Sequence, residues 1–238
     1  MSAIFNEFFF QPVFNILVYI YNVIPGNDFG LAILVLTLFI RVIFFPLTVK
    51  SVLSQRGLAK LQPKIKEIQD KYKGNQQQIG AATMALYKEH KINPLSGCLP
   101  LLIQLPVLFA LFKALDVAFE PDSLNMIYGF VGNPGIINNV SFGFLDLADK
   151  NRILAISAGA LQWLQSKVTN KNQGPSQDKS SPTAMMTKQM LYFFPFMVII
   201  ISWNFQAGLV LYWVATTAFA IVEQLIIGKR FAENKNNE

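Results

Sequence analysis

Five stretches of this chain, residues 29–49, 95–115, 153–168, 186–205 and 207–227, are apolar over nearly the length that crosses a bilayer. A helix of about 20 residues covers the ~30 Å of hydrocarbon, so four of the five reach across directly. The third holds only 16 residues and needs local thinning of the bilayer or snorkelling of Arg152 and Lys167 at its ends. Composition agrees with a bilayer as solvent: 53% of residues are hydrophobic, 14% are charged and 21 are phenylalanine, too apolar for one soluble domain of this size. The expected fold class is an all-α polytopic membrane protein with five transmembrane helices.

Loop charges orient the spans. Residues 50–94 carry nine lysines and arginines against Glu67, Asp70 and Glu89, which assigns this segment to the cytoplasm. Residues 116–152 hold Asp116, Glu120, Asp122, Asp146 and Asp149 and read as the outer loop. Basic residues return in 169–185 and in the tail, 228–238, so both are expected inside. The N-terminus then lies outside and the C-terminus in the cytoplasm, and the chain must turn tightly at the outer face near Gln206 to Gly208.

Residues 1–28 form a further unit. The stretch 4–24 is apolar but has no positive start, which separates it from a secretory signal. Glu7, Gln11, Asn15 and Asn22 recur at near-helical spacing opposite Phe9, Val13, Leu17 and Ile20, so the segment is expected to lie in the outer interface rather than to cross the membrane. Pro12 suits a first turn and Pro25-Gly26 an end. In 50–94, Leu58, Leu61, Ile65, Ile68 and Tyr72, then Ile79, Ala82 and Leu86, follow three-four spacing on either side of Lys73-Gly74-Asn75. That pattern predicts two antiparallel helices burying their stripes against each other. Asn172 to Ser181, rich in Gln, Ser, Asn, Lys and Pro, reads as a flexible linker.

The residue in the wrong solvent is Arg41. Between Leu31 and Leu47 only Thr37 and Arg41 interrupt the apolar run, and four residues apart they share a helical face. An arginine at mid-span costs about 2.5–3.5 kcal/mol on insertion scales, so it must meet water or a partner. Snorkelling to the inner surface, roughly 10 Å away, is the alternative.

The run Gly30-Leu31-Ala32-Ile33, followed by Leu36 to Arg41 and Phe45-Pro46-Leu47, resembles the first core span of the YidC-type membrane protein insertases, the Oxa superfamily. In the same order follow Leu61-Gln62-Pro63, Ile68 to Tyr72, Leu86 to Glu89, Asn93 to Pro100, Ile103 to Pro106, Phe194-Pro195 and Gly208 to Trp213, so the resemblance covers roughly residues 5–230. It implies five helices around a hydrophilic groove open to the cytoplasm and to lipid, with a cytoplasmic helical hairpin and an N-terminal interfacial helix. It also implies that nascent membrane proteins are received in the groove and that their hydrophobic segments are released into lipid, with no enzyme chemistry and no cofactor.

Residue by residue, the family's groove arginine falls on Arg41, and a groove glutamine on Gln165, with Gln162 one turn before it. A helix-helix hydrogen bond explains these two glutamines equally well. Tyr212 and Trp213 stand where the family's substrate-contacting aromatics occur, although an interfacial aromatic belt has the same composition. Gln104, between Pro100 and Pro106, reads as a packing residue. Glu223 departs from the neutral polar residue expected there: either it pairs with Arg41 and partly neutralises the groove's positive charge, or it snorkels to the inner surface. Ala81-Ala82 replaces an acid common in related hairpins, which suits anionic lipid heads.

Other function classes find less support. His90 is the only histidine and lies in the cytoplasmic segment, Cys98 is the only cysteine, and no aspartate falls within a span; this leaves no intramembrane protease site and no His- or Cys-rich metal site. A small anion transporter using Arg41 is the alternative function, but five spans do not divide into repeats. The expected partners are nascent membrane proteins, membrane lipids, a Sec-type translocon and a ribosome, the last through the hairpin because the tail is short. The working form is expected to be a monomer in a bacterial inner membrane, since no organelle presequence is visible.

Overall fold

A computed structural model of the chain describes residues 3–93, 96, 99–120, 123–173 and 182–236. Cys98, the Pro94-Leu95 step and residues 174–181 of the expected linker lie outside the described residues. Among those described, the chain folds into seven helices: α1 (Ala3–Val23), α2 (Phe29–Lys71), α3 (Gln76–Glu89), α4 (Leu99–Ala118), α5 (Arg152–Gln173), α6 (Pro182–Ser202) and α7 (Ala207–Asn236). Three of them, Ala3–Val23, Phe29–Lys71 and Ala207–Lys229, contain stretches long and apolar enough to cross a membrane, and Leu191–Ser202 is a shorter apolar stretch.

Two boundaries differ from those expected. The first falls at Val49, where a span was to end and a hairpin to begin: α2 runs 43 residues without a break, through Pro46 and Pro63, a length of about 64 Å. Lysines begin at position 50, but the leucines, lysines, glutamines and alanine that follow are good helix formers and nothing caps the chain there. The second is at the start of α1. The helix begins at Ala3, and Asn6–Phe10 widens into a π-helical turn ahead of Gln11–Val23. Pro12 lacks an N–H and crowds the preceding turn, so it sits where the hydrogen-bond ladder changes register.

The start of α2 is built by its neighbours. Gly26 and Asn27 take positive φ of 82° and 49° and reverse the chain. Asp28 then caps the helix, accepting from the Leu31 N–H at 3.0 Å. Its second carboxylate oxygen accepts from the Phe142 N–H at 2.6 Å, while the Gly30 N–H donates to Ser141 Oγ at 2.7 Å. Partial burial opposes ionisation of Asp28, yet these donors together hold its carboxyl below the usual carboxylate range.

Ser141 belongs to a short antiparallel pair, β1 (Val140–Ser141) and β2 (Leu145–Asp146), in the segment between α4 and α5. That segment closes one end of the helices, here termed the loop end. The first free N–H groups of α7, on Ala207 and Gly208, donate to the carbonyls of Asp149 and Leu147 at 2.7 and 2.9 Å. From α1, Asn15 donates to the Met126 carbonyl at 3.3 Å and accepts from the Tyr128 N–H at 2.6 Å. Asn22 donates to the Gly132 carbonyl at 2.5 Å. The polar side of α1 is therefore turned onto loop backbone that needs partners, and Phe8, Phe9, Ile16 and Tyr19 are left exposed.

The main core sits at this end. Phe14, Leu17, Phe29, Ile33, Leu111, Leu115 and Leu147 are completely or almost completely buried together. Beyond Thr37, α2 buries no side chain until Ser51, and the described part of α4 buries none before Ala110. The two helices are thus most tightly packed at the loop end, and past it α2 leaves Leu38, Phe39, Val42 and Ile43 exposed. A second contact joins α5, α6 and α7 around Ala158, Val198 and Val210. A Cβ on Gly159 there would overlap the Ile199 side chain, so only glycine permits this approach.

At the opposite, hairpin end, α2 and α3 fold back on each other around Leu61, Ile65 and Leu86, flanked by Ile68, Tyr87 and Ile92. Gly74 supplies the positive φ of 87° for the reversal, and the Asn75 side chain caps α3 by accepting from Gln78 N–H at 3.1 Å.

Candidate functional site

Arg41 emerges from α2 one turn past the packed core. Its Nη1 donates to Glu223 Oε2 at 3.1 Å and its Nη2 to the Thr216 carbonyl at 2.9 Å. Both contacts are on α7. Side chains tilt toward a helix's N-terminus, so the Glu223 carboxylate leans back toward Thr216 and one planar guanidinium spans both. The ionic side chains retain 18% and 9% of their exposure, so the pair is enclosed but not sealed.

Tyr212, Thr216 and Glu223 fall within about 40° of one another around α7 and form one stripe. At its loop-end limit Gln104 of α4 donates to the Tyr212 hydroxyl. Polar contacts therefore run from α4 through α7 to α2. A second line leaves the same helix: Gln162 Nε2 donates to Gln165 Oε1 at 3.0 Å, and Thr169 Oγ lies 2.8 Å from Gln224 Oε1. Gln162 is buried and Gln165 is half-buried. The glutamines on α5 are thus bonded to each other and do not reach Arg41.

Two sequence candidates stand apart. Thr37 is buried and its hydroxyl donates to its own Ile33 carbonyl at 2.7 Å, so it belongs to the packed end of α2. Trp213, 100° around α7 from Tyr212, packs in the α5–α6–α7 cluster. Conversely, Thr216 and Gln104 touch the polar line without having been singled out as groove residues. Thr216 was accessible by pattern, four residues past Tyr212 and seven before Glu223. Its contact is through a backbone carbonyl, which no side-chain motif records.

The groups assembled here can hold and exchange charge and hydrogen bonds in a low-dielectric setting, where such contacts are strong. Residues 19–235 match the family described as 60Kd inner membrane protein. A protein of Fusobacterium nucleatum named membrane protein insertase YidC is 36% identical over 206 residues, 87% of this chain and 89% of that protein. The chain belongs to the YidC insertase family. YidC proteins of Treponema denticola and of Helicobacter pylori strain 26695 are 40% and 38% identical over 88% and 96% of this chain. The chain spans 35% and 37% of their respective lengths, so its likeness to those YidC proteins is to a part of each. YidC relatives from several bacteria, together with the apolar helices, make this a helical bacterial membrane protein.

Proposed function

We propose that the chain inserts nascent membrane proteins into a bacterial inner membrane, alone or beside a Sec-type translocon, and chaperones them there. The observation that carries this reading is a cation, Arg41, held on one face of α7 where α2 and α4 have left the packed core. A polar tail entering from the hairpin end meets a fixed ion pair and hydrogen-bonding groups partway across. The hydrophobic segment that follows finds lipid beside the exposed Leu38, Phe39, Val42 and Ile43 of α2. Partitioning of that segment drives the process, because each buried CH₂ contributes about 0.8 kcal/mol, and no covalent step is required. An anion transporter has no comparable support, since the relatives carry the insertase name.

In this reading five helices cross the membrane, with the loop end outside and the hairpin end in the cytoplasm, as the loop charges require. Helix α1 lies along the outer face. Asn6 bonds Lys113 near the loop end of α4 at 2.7 Å, Asn15 bonds the Tyr128 N–H and Asn22 the Gly132 carbonyl. Contacts spread over roughly 24 Å of helix thus all reach loop-end elements, as a helix lying flat would. The chain acts as a monomer, and the basic hairpin meets lipid heads and the ribosome.

Purified chain in proteoliposomes should bring the acidic N-tail of a single-spanning protein into the lumen, where it resists added protease. Protection no greater than in empty liposomes would contradict the proposal.

A further inference from the structure

Arg41 is already occupied. Its two terminal nitrogens meet Glu223 and the Thr216 carbonyl, and the ionic pair is mostly enclosed by protein. A guanidinium carries five N–H donors, so it can accept a second carboxylate at its open edge, but the first has already cancelled its charge. An acid arriving from a substrate therefore sees a neutral pair rather than a bare cation. To gain the full attraction it must take the place of Glu223.

We propose that Glu223 is a specificity-determining residue, an internal carboxylate that competes with substrate acids for Arg41 and so makes insertion weakly dependent on how acidic the translocated tail is. This rests on the insertase reading given above. Three features of the site suit an exchange rather than a fixed brace. The partner is a flexible glutamate at a single 3.1 Å contact, not a two-oxygen fork. Glu223 lies toward the hairpin end, about 10 Å along α7 from Thr216, so a rotation of its side chain carries the carboxylate toward that end. The Thr216 carbonyl is backbone and stays, holding the guanidinium in place while its anion changes.

The test compares wild type and E223Q in proteoliposomes with one single-spanning substrate whose N-tail carries no, one or two aspartates. Glutamine preserves shape and an acceptor oxygen for Arg41 but leaves the cation uncompensated. The ratio of insertion with two acids to insertion with none should rise roughly fivefold or more in E223Q over wild type, and R41Q/E223Q should return it to the wild-type value or below. If E223Q does not fold, E223D, whose shorter reach loosens the pair, should give an intermediate rise. Equal ratios in wild type and variant, whatever the overall yield, would show a merely structural ion pair and overturn the proposal. Absence of insertion above empty liposomes by wild type would overturn the insertase reading and this one with it.

Discussion

At Arg41 the cost of placing a cation in hydrocarbon is met by one carboxylate and one backbone carbonyl of a single neighbouring helix. Removing one member of an enclosed pair leaves the other without compensation, typically at about 3–5 kcal/mol. R41A should therefore lower the thermal unfolding midpoint in detergent, and R41A/E223Q should recover a large part of the loss. No recovery would mean that Glu223 finds other solvation once its partner is gone. Both residues are visible in the sequence as ionisable groups in apolar runs. The sequence leaves their pairing as one of two readings of Glu223, because 182 positions separate them and only the packing of α2 on α7 sets the distance. Thr37 shows the converse limit. It shares Arg41's face, but one turn makes the difference between packed end and open flank, and its hydroxyl turns back to its own helix.

At the scale of elements, periodicity revealed the hairpin stripes, because helices that bury only against each other write their contacts into three-four spacing. It did not reveal that α2 continues unbroken past Val49, since helix propensity is indifferent to the change from an apolar run to a charged one. Nor did it show Asn15 facing inward, which depends on loop backbone more than 110 residues away. Two joints carry testable energy. G159A places a methyl against Ile199 and should cost about 1–3 kcal/mol in thermal unfolding, loosening α5 from α6. At the start of α2, D28A should cost about 1 kcal/mol at neutral pH through loss of the cap. The folded carboxyl of Asp28 ionises below its ordinary range. Its stabilisation is therefore complete above the unfolded value and is lost as pH falls through the folded one. The gap between wild type and D28A should close in acid; a constant gap would assign the cap's worth to hydrogen bonding alone.

Across the whole molecule, the two ends are built differently. Among the described residues, the loop end is tied by caps, a β pair and the main core, and the hairpin end by the small cluster of Leu61, Ile65 and Leu86 with the Ser54 bonds to Asn93 and Ser96. Between them α2 leaves Leu38, Phe39, Val42 and Ile43 exposed and α4 leaves Leu105 and Phe109 exposed, which suits a protein whose working partner is a helix it does not own. Arg41 stands at the border between the tight end and the bare flank. The most direct measurement is growth of a strain depleted of its own insertase and supplied with R41K or with R41A/E223Q, the latter removing both charges without orphaning a carboxylate. A central role for the Arg41 cation predicts that R41K supports growth and that R41A/E223Q, accumulated to the same level in the membrane, does not. Full growth on R41A/E223Q would contradict it.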